Sequence, residues 1–275
     1  MKDPFAKPSS IWPIVALVVV VAIVLGAFGI FVSKKASGDK VTGRIVFLFD
    51  LTDTLSPITK GAIREKFRQV LLEAPAGSSV ELYAVSHIQE RLLEPITPKP
   101  VKNPMSFKAD GQKSIDEKYG ITSNTKMLEK KRESQFEKPL LGYLEKAFLS
   151  PDAPTSPIIE SIQSVVISSL QDAKLIASIE NPDQENHWAG RHLVVVSDFM
   201  QNTPEISFYK GLLTPDQVMS SRYMQSKVLD MRGIKVHPWI VSRESQETRL
   251  KLQHLWTELF SRWNGDVCDL DQISN

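Results

Sequence analysis

Cysteine is almost absent from this chain of 275 residues. Cys268 stands alone, so no intrachain disulfide can form and the redox compartment stays open. Histidine is scarce as well, and no Cys/His cluster shows the close spacing of a metal-binding motif. No glycine-rich phosphate loop and no internal repeat is present. Charge of one sign is not in excess: 33 basic residues face 32 acidic ones. That balance lacks the clustered basic surplus a nucleic-acid surface needs. Ser197, His192 and His237 have no spacing that assembles a nucleophilic triad, and histidines on apolar strands are usually packing or surface residues.

What the sequence does have is one long apolar run. Residues 11–32 carry no charge and are nearly all Val, Ile, Leu, Ala, Phe or Gly. About 20 such residues in a helix span a hydrocarbon core of about 30 Å, and a helix satisfies its own backbone hydrogen bonds there. Trp12 suits the headgroup boundary and Pro13 the first helical turn. A cleaved signal peptide would have a shorter core and a small-x-small site, whereas this run ends in Phe31-Val32-Ser33-Lys34-Lys35. The expectation is a single-pass membrane anchor after a short tail (1–10), with a polar juxtamembrane linker (33–43) behind it. Lys34, Lys35, Lys40 and Arg44 outweigh Lys2, Lys7 and the amino terminus, which leans the following domain toward the cytoplasmic side.

Residues 44–275 are long enough for one α/β domain with a proper core. Residues 44–50 (RIVFLFD) and 192–197 (HLVVVS) read as central strands covered on both faces. Residues 79–86 and 234–241 read as further strands, and Pro238 places the latter at or near an edge. Helices are expected over 57–72, 126–149, 156–179, 215–232 and 245–263, with Leu250, Leu255, Trp256, Leu259 and Phe260 on the apolar side of the last. Pro95, Pro98, Pro100 and Pro104 mark an irregular excursion at about 94–125. Trp188, Trp239, Trp256 and Trp263 read as core residues, and Lys130, Lys131 and Arg132 as a solvated helix face. Alternating strands and helices imply a mostly parallel sheet with helices on both faces, a three-layer, Rossmann-like α/β/α architecture.

In open α/β sheets, sites form beyond the carboxyl ends of the central strands. Three loops bring oxygen-bearing side chains there: Asp50, Thr52 and Thr54, then Thr155 and Ser156, then Asp198. Two carboxylates with a few hydroxyls suit Mg²⁺, which keeps several waters and takes only one or two carboxylates. This pattern resembles the von Willebrand factor A domain and its metal-ion-dependent adhesion site. Asp50-Leu51-Thr52-Asp53-Thr54 is similar to that family's first motif, with threonines for both serines. Thr155-Ser156-Pro157 looks like its second loop and Val194-Val195-Val196-Ser197-Asp198 its third element. The resemblance covers roughly residues 44–241. It implies a metal held by Asp50, Thr52, Thr54, Ser156 and Asp198, with Thr155 as the fallback for Ser156. It also implies Mg²⁺, or Mn²⁺ or Ca²⁺ in its place, and a protein partner whose acidic side chain completes the shell. No bond is made or broken in such a module, and no small-molecule substrate is expected.

Two other readings use the same residues. Haloacid-dehalogenase-type phosphotransferases place a nucleophilic Asp after the first strand, and Asp50-Leu51-Thr52-Asp53-Thr54 looks like the signature of their cation-pumping branch. Ser197 would then bind phosphate, with Asp266 and Asp269 as the late magnesium acids. Against it, Thr52 stands where most soluble members need an acid, and no lysine is clearly placed for the third motif. The other reading is a scaffold of the first kind with a metal-free site, Asp50 and Asp198 capping nearby helices.

Overall fold

A computed structural model of the chain describes residues 42–85, 93–104, 123–150, 152–179, 186–211, 214–227, 229–241, 244–268 and 271–273. The expected tail, membrane helix and most of the linker lie outside the described residues, as does most of the excursion. Among the described residues no helix is long and apolar enough to cross a membrane. Val41–Asn275 groups as one compact unit.

In chain order this unit begins with β1 (Gly43–Phe49), α1 (Pro57–Glu73), β2 (Ser79–Val85), β3 (Leu93–Pro95) and β4 (Val101–Lys102). There follow α2 (Ser123–Arg132), α3 (Lys138–Ala147), α4 (Ile158–Val165), α5 (Ala173–Ser178) and β5 (Gly190–Ser197). The last elements are α6 (Pro215–Ser220), α7 (Arg222–Gln225), β6 (Ile234–Val241), α8 (Gln246–Arg262), β7 (Asp266–Val267) and β8 (Asp271–Ile273).

The fold is α/β with a mostly parallel sheet, in the order β3-β2-β1-β5-β6-β7. β1 lies in parallel between β2 and β5, and β6 lies in parallel beside β5. β3 and β4 both run antiparallel to β2. Alternate residues of the strands feed two separate cores. Val46, Leu48, Leu193 and Val195 pack with Ile159, Ile162, Leu255 and Trp256, beneath α4 and α8. Ile45, Phe47, Phe49, Val194 and Trp239 pack with Ile63, Phe67, Phe136 and Leu140, beneath α1 and the α2–α3 pair. Covering on both faces is what an uninterrupted apolar strand such as β1 requires.

Local signals explain most boundaries. Ser56 caps α1, its hydroxyl accepting from the Thr59 amide at 3.1 Å, and Pro57 occupies the first turn. Ser245 caps α8 by the same bond from the Thr248 amide. Other expectations need correcting. The predicted 126–149 helix starts at Ser123 and passes through a π-helical turn, Glu133–Glu137. The predicted 156–179 helix passes through a second such turn, Val166–Leu170, before α5. The single helix over 215–232 is two short ones, because Ser221 adopts an extended conformation (ψ 144°) and caps α7. Parts of the excursion are strands, β3 and β4, edging the sheet at β2. Leu250 is 54 % exposed and leaves the α8 core to Leu252 and its neighbours. Arg132 is no simple solvated residue: its guanidinium donates to the Leu71 and Leu72 carbonyls at the end of α1 and pairs with Glu137.

Pro238 sits on the strand next to the edge. β7 pairs with Lys235 and Val236 and β8 with Trp239, Ile240 and Val241. Among the described residues no strand pairs with His237 and Pro238 on that edge, and the proline has no N–H to offer.

Candidate functional site

β1 and β5 are neighbours, yet β2 follows on one side and β6 on the other. Chain connections therefore diverge at the β1/β5 boundary, which is where open α/β sheets leave a crevice beyond the strand ends. Register decides what meets there. Phe49 pairs with Val196, and the Asp50 amide extends the ladder by donating to the Val196 carbonyl at 2.8 Å. Asp50 consequently emerges beside Ser197.

Three hydroxyls, two from loops and one from the last residue of β5, then converge on the Asp50 carboxylate. Thr52 donates to Oδ1 at 2.6 Å, while Ser156 and Ser197 donate to Oδ2 at 2.9 and 2.8 Å. The Thr52 amide adds a fourth contact to Oδ1 at 3.2 Å. Asp198 faces the same narrow crevice, which is also lined by Asp53, Leu55 and Val241. Its Oδ1 accepts from the Met200 amide at 2.9 Å, closing a tight turn. The intervening residue, Phe199, is fully buried with φ at 63°, an unusual conformation for a bulky side chain. Such strain costs about 1–3 kcal/mol and persists where surrounding contacts over-determine it. Here the Phe199 amide donates to Ser197 Oγ, and its carbonyl accepts from Trp256 Nε1 at 3.0 Å.

The loops are laced to one another as well as to Asp50. The Ala153 amide donates to the Thr52 carbonyl at 2.7 Å. Ser156 and Asn202 exchange both backbone hydrogen bonds, and Asn202 Nδ2 reaches the Pro154 carbonyl. Gln201, fully buried, accepts from the Ile159 amide in the first turn of α4 and donates to Glu160. No side chain of Pro157 can cap that helix, so Gln201 supplies the missing partner from a distant loop.

Of the residues singled out from sequence, Asp50, Thr52, Ser156 and Asp198 come together. Ser156, rather than the fallback Thr155, places its hydroxyl on Asp50. Thr54 is turned elsewhere: it is exposed and its hydroxyl donates to Asp152 Oδ1 at 2.8 Å. The sequence does not single out Gln201, and it offers Ser197 only within the third element or as a phosphate-binding hydroxyl, since both roles here follow from strand register and loop pairing. The donors fit a hard cation in kind, being all oxygen and of low charge. The late acid of the phosphotransferase reading is elsewhere. Asp266 pairs with Lys235 near the start of β6, at the opposite end of the parallel strands from Asp50, and Asp269 lies outside the described residues.

A second cluster joins residues far apart in the chain. His187, His237 and Cys268 each bring a ligand atom within 4.8 Å of the others. His237 and His192 are pushed below the ordinary histidine value, to about 3 and about 4, chiefly by burial. Both rings are therefore neutral near pH 7. All four singled-out tryptophans, Trp188 among them, are buried.

Comparison with protein-family models and with curated proteins finds no match to this chain.

Proposed function

We propose that this chain is a membrane-tethered binding module of von Willebrand A-like, three-layer α/β/α type, engaging a protein partner at the Asp50 edge of the sheet. The observation that supports this reading most is the convergence of Thr52, Ser156 and Ser197 on one carboxylate at the β1/β5 boundary. Asp50, Thr52, Ser156 and Asp198 would hold Mg²⁺. The cation would supply a positive charge with coordination positions left for a partner's carboxylate. Thr54, engaged with Asp152, stands outside this donor set.

The metal-free scaffold is the competing reading, favoured by the full set of hydrogen bonds that Asp50 already accepts. Isothermal titration with Mg²⁺ and Mn²⁺ separates the two. One site per chain, lost in Asp50→Ala and retained in Thr54→Val, is the expected result. Heat that is the same for Asp50→Ala, or none for either protein, would leave the metal-free scaffold. The tether is carried by the uncharged run 11–32. Cell membranes washed with alkaline carbonate should retain the chain, and deletion of residues 1–33 should release it. Release of the intact chain by the wash would refute the anchor.

A further inference from the structure

We propose that His187, His237 and Cys268 form a binding site for a borderline divalent cation, Zn²⁺ by preference. It is separate from the Asp50 edge. The three residues come from the turn before β5, the middle of β6 and the residue after β7. Their ligand atoms lie within 4.8 Å of one another. Tetrahedral zinc with nitrogen and sulfur ligands needs donor separations of about 3.5 Å. The set is therefore within a side-chain adjustment of ligation, and His187 is exposed and able to make it. The three residues line one cavity of about 400 Å³, together with Glu73, Asp271 and Lys66.

The hydrogen bonds behind His237 fix which nitrogen it offers. His192 Nε2 lies 2.9 Å from the Ala189 carbonyl, so that nitrogen carries the proton and donates. His192 Nδ1 is then an acceptor, and it lies 3.0 Å from His237 Nε2, which must donate to it. The remaining nitrogen, His237 Nδ1, keeps its lone pair. A ligating histidine held by a donated N–H to an outer partner is the arrangement that fixes tautomer and ring orientation at metal sites. Trp188 stacks on the His237 ring, centroids 4.5 Å apart, and fixes the plane further. Trp188 is itself tied to Glu73 through Nε1 at 3.0 Å.

Two nitrogens and one sulfur favour zinc over magnesium, which prefers oxygen. Three protein ligands leave a fourth position open toward the cavity, for water or a small ligand. On binding, the Cys268 thiol loses its proton to solvent and the thiolate takes the metal, so affinity rises with pH. The bound ion would link β6 to the short β7 edge and to the turn that leads into β5. His192 stands five residues before Ser197 on β5, about 17 Å away along the strand, so the two sites do not share ligands.

The test uses the full-length chain, purified without a polyhistidine tag, titrated with Co²⁺ and then Zn²⁺. With excess Mg²⁺ present to occupy the Asp50 edge, one Co²⁺ per chain should bind with a thiolate-to-cobalt charge-transfer band, and Zn²⁺ should displace it and raise the melting temperature. Cys268→Ser should abolish the band, and His187→Ala should weaken Zn²⁺ binding at least tenfold. Both positions are at least partly exposed, and circular dichroism checks that each variant folds. Asp50→Ala should leave the band intact, so failure here is distinct from failure at the Asp50 edge. Absence of stoichiometric cobalt, cobalt bound without the thiolate band, or unchanged binding in both variants would overturn the site.

Discussion

Asp50, half-buried, and Glu81, buried, show two ways a carboxylate is held in this chain. Asp50 is surrounded by hydroxyl donors that a cation could share, whereas Glu81 is locked against Arg44 at 3.2 Å and takes the Tyr83 and Ser169 hydroxyls on its other oxygen. Arg44 is tied down too, donating to the Ser169 carbonyl. Removing one partner of such a pair leaves an uncompensated buried charge. Arg44→Met should therefore destabilise the domain by about 3–5 kcal/mol in urea unfolding, and Arg44→Met with Glu81→Gln should recover much of it. Equal stabilities for the single and double variants would contradict this account. At this scale the sequence was only partly legible. Asp50, Ser156 and Asp198 were found because each stands at the end of an apolar run or beside a helix start. Gln201 was not, and Ser197 was read only as the residue before Asp198 or as a phosphate-binding hydroxyl, because nothing local says which strand will lie alongside which, or at what register. The same limit hid the histidine–cysteine cluster, whose members share no spacing and meet only once β6 and β7 are paired.

Among the elements, the central strands were readable to within two residues at their ends and the helices were not. β1 from Ile45 and β5 from Leu193 are apolar without alternation, a pattern with one common cause, burial on both faces. The helices were blurred by features periodicity does not carry: two π-helical turns and the break at Ser221. β3, β7 and β8 are two or three residues long and have no pattern to read. Where β1 enters the sheet, Gly43 faces Gly190. A Cβ on Gly43 would lie 2.7 Å from the Gly190 carbonyl oxygen and 2.8 Å from its nitrogen. Backbone cannot yield as a flexible side chain would, so Gly43→Ala should cost about 1–3 kcal/mol. Thermal unfolding would show it as a lowered midpoint with unchanged far-ultraviolet signal, and an unchanged midpoint would mean the strands part more easily than this contact implies.

For the whole domain, acid stability turns on His192 and His237. Burial holds both below the ordinary histidine value, to about 4 and about 3, with Lys235, His187 and Lys66 opposing a further positive charge. The unfolded chain binds protons at these rings near pH 6.5 while the folded one does not. Their contribution is therefore complete above that pH and is lost as pH falls toward 4. Metal-free protein should be less stable at pH 4.5 than at pH 7 by roughly 3–5 kcal/mol in urea unfolding, and a flat profile would refute the neutral pair.

The placement of β1 between β2 and β5 also has a consequence in time. One neighbour arrives within a few dozen residues, but the other closes only when Ser197 reaches Asp50, 147 residues later. At ribosomal speed that interval lasts on the order of ten seconds. Throughout it, β1 has one edge without its strand partner. A nascent chain in that condition is a substrate for chaperones, and synthesis without them should yield aggregates seeded by β1.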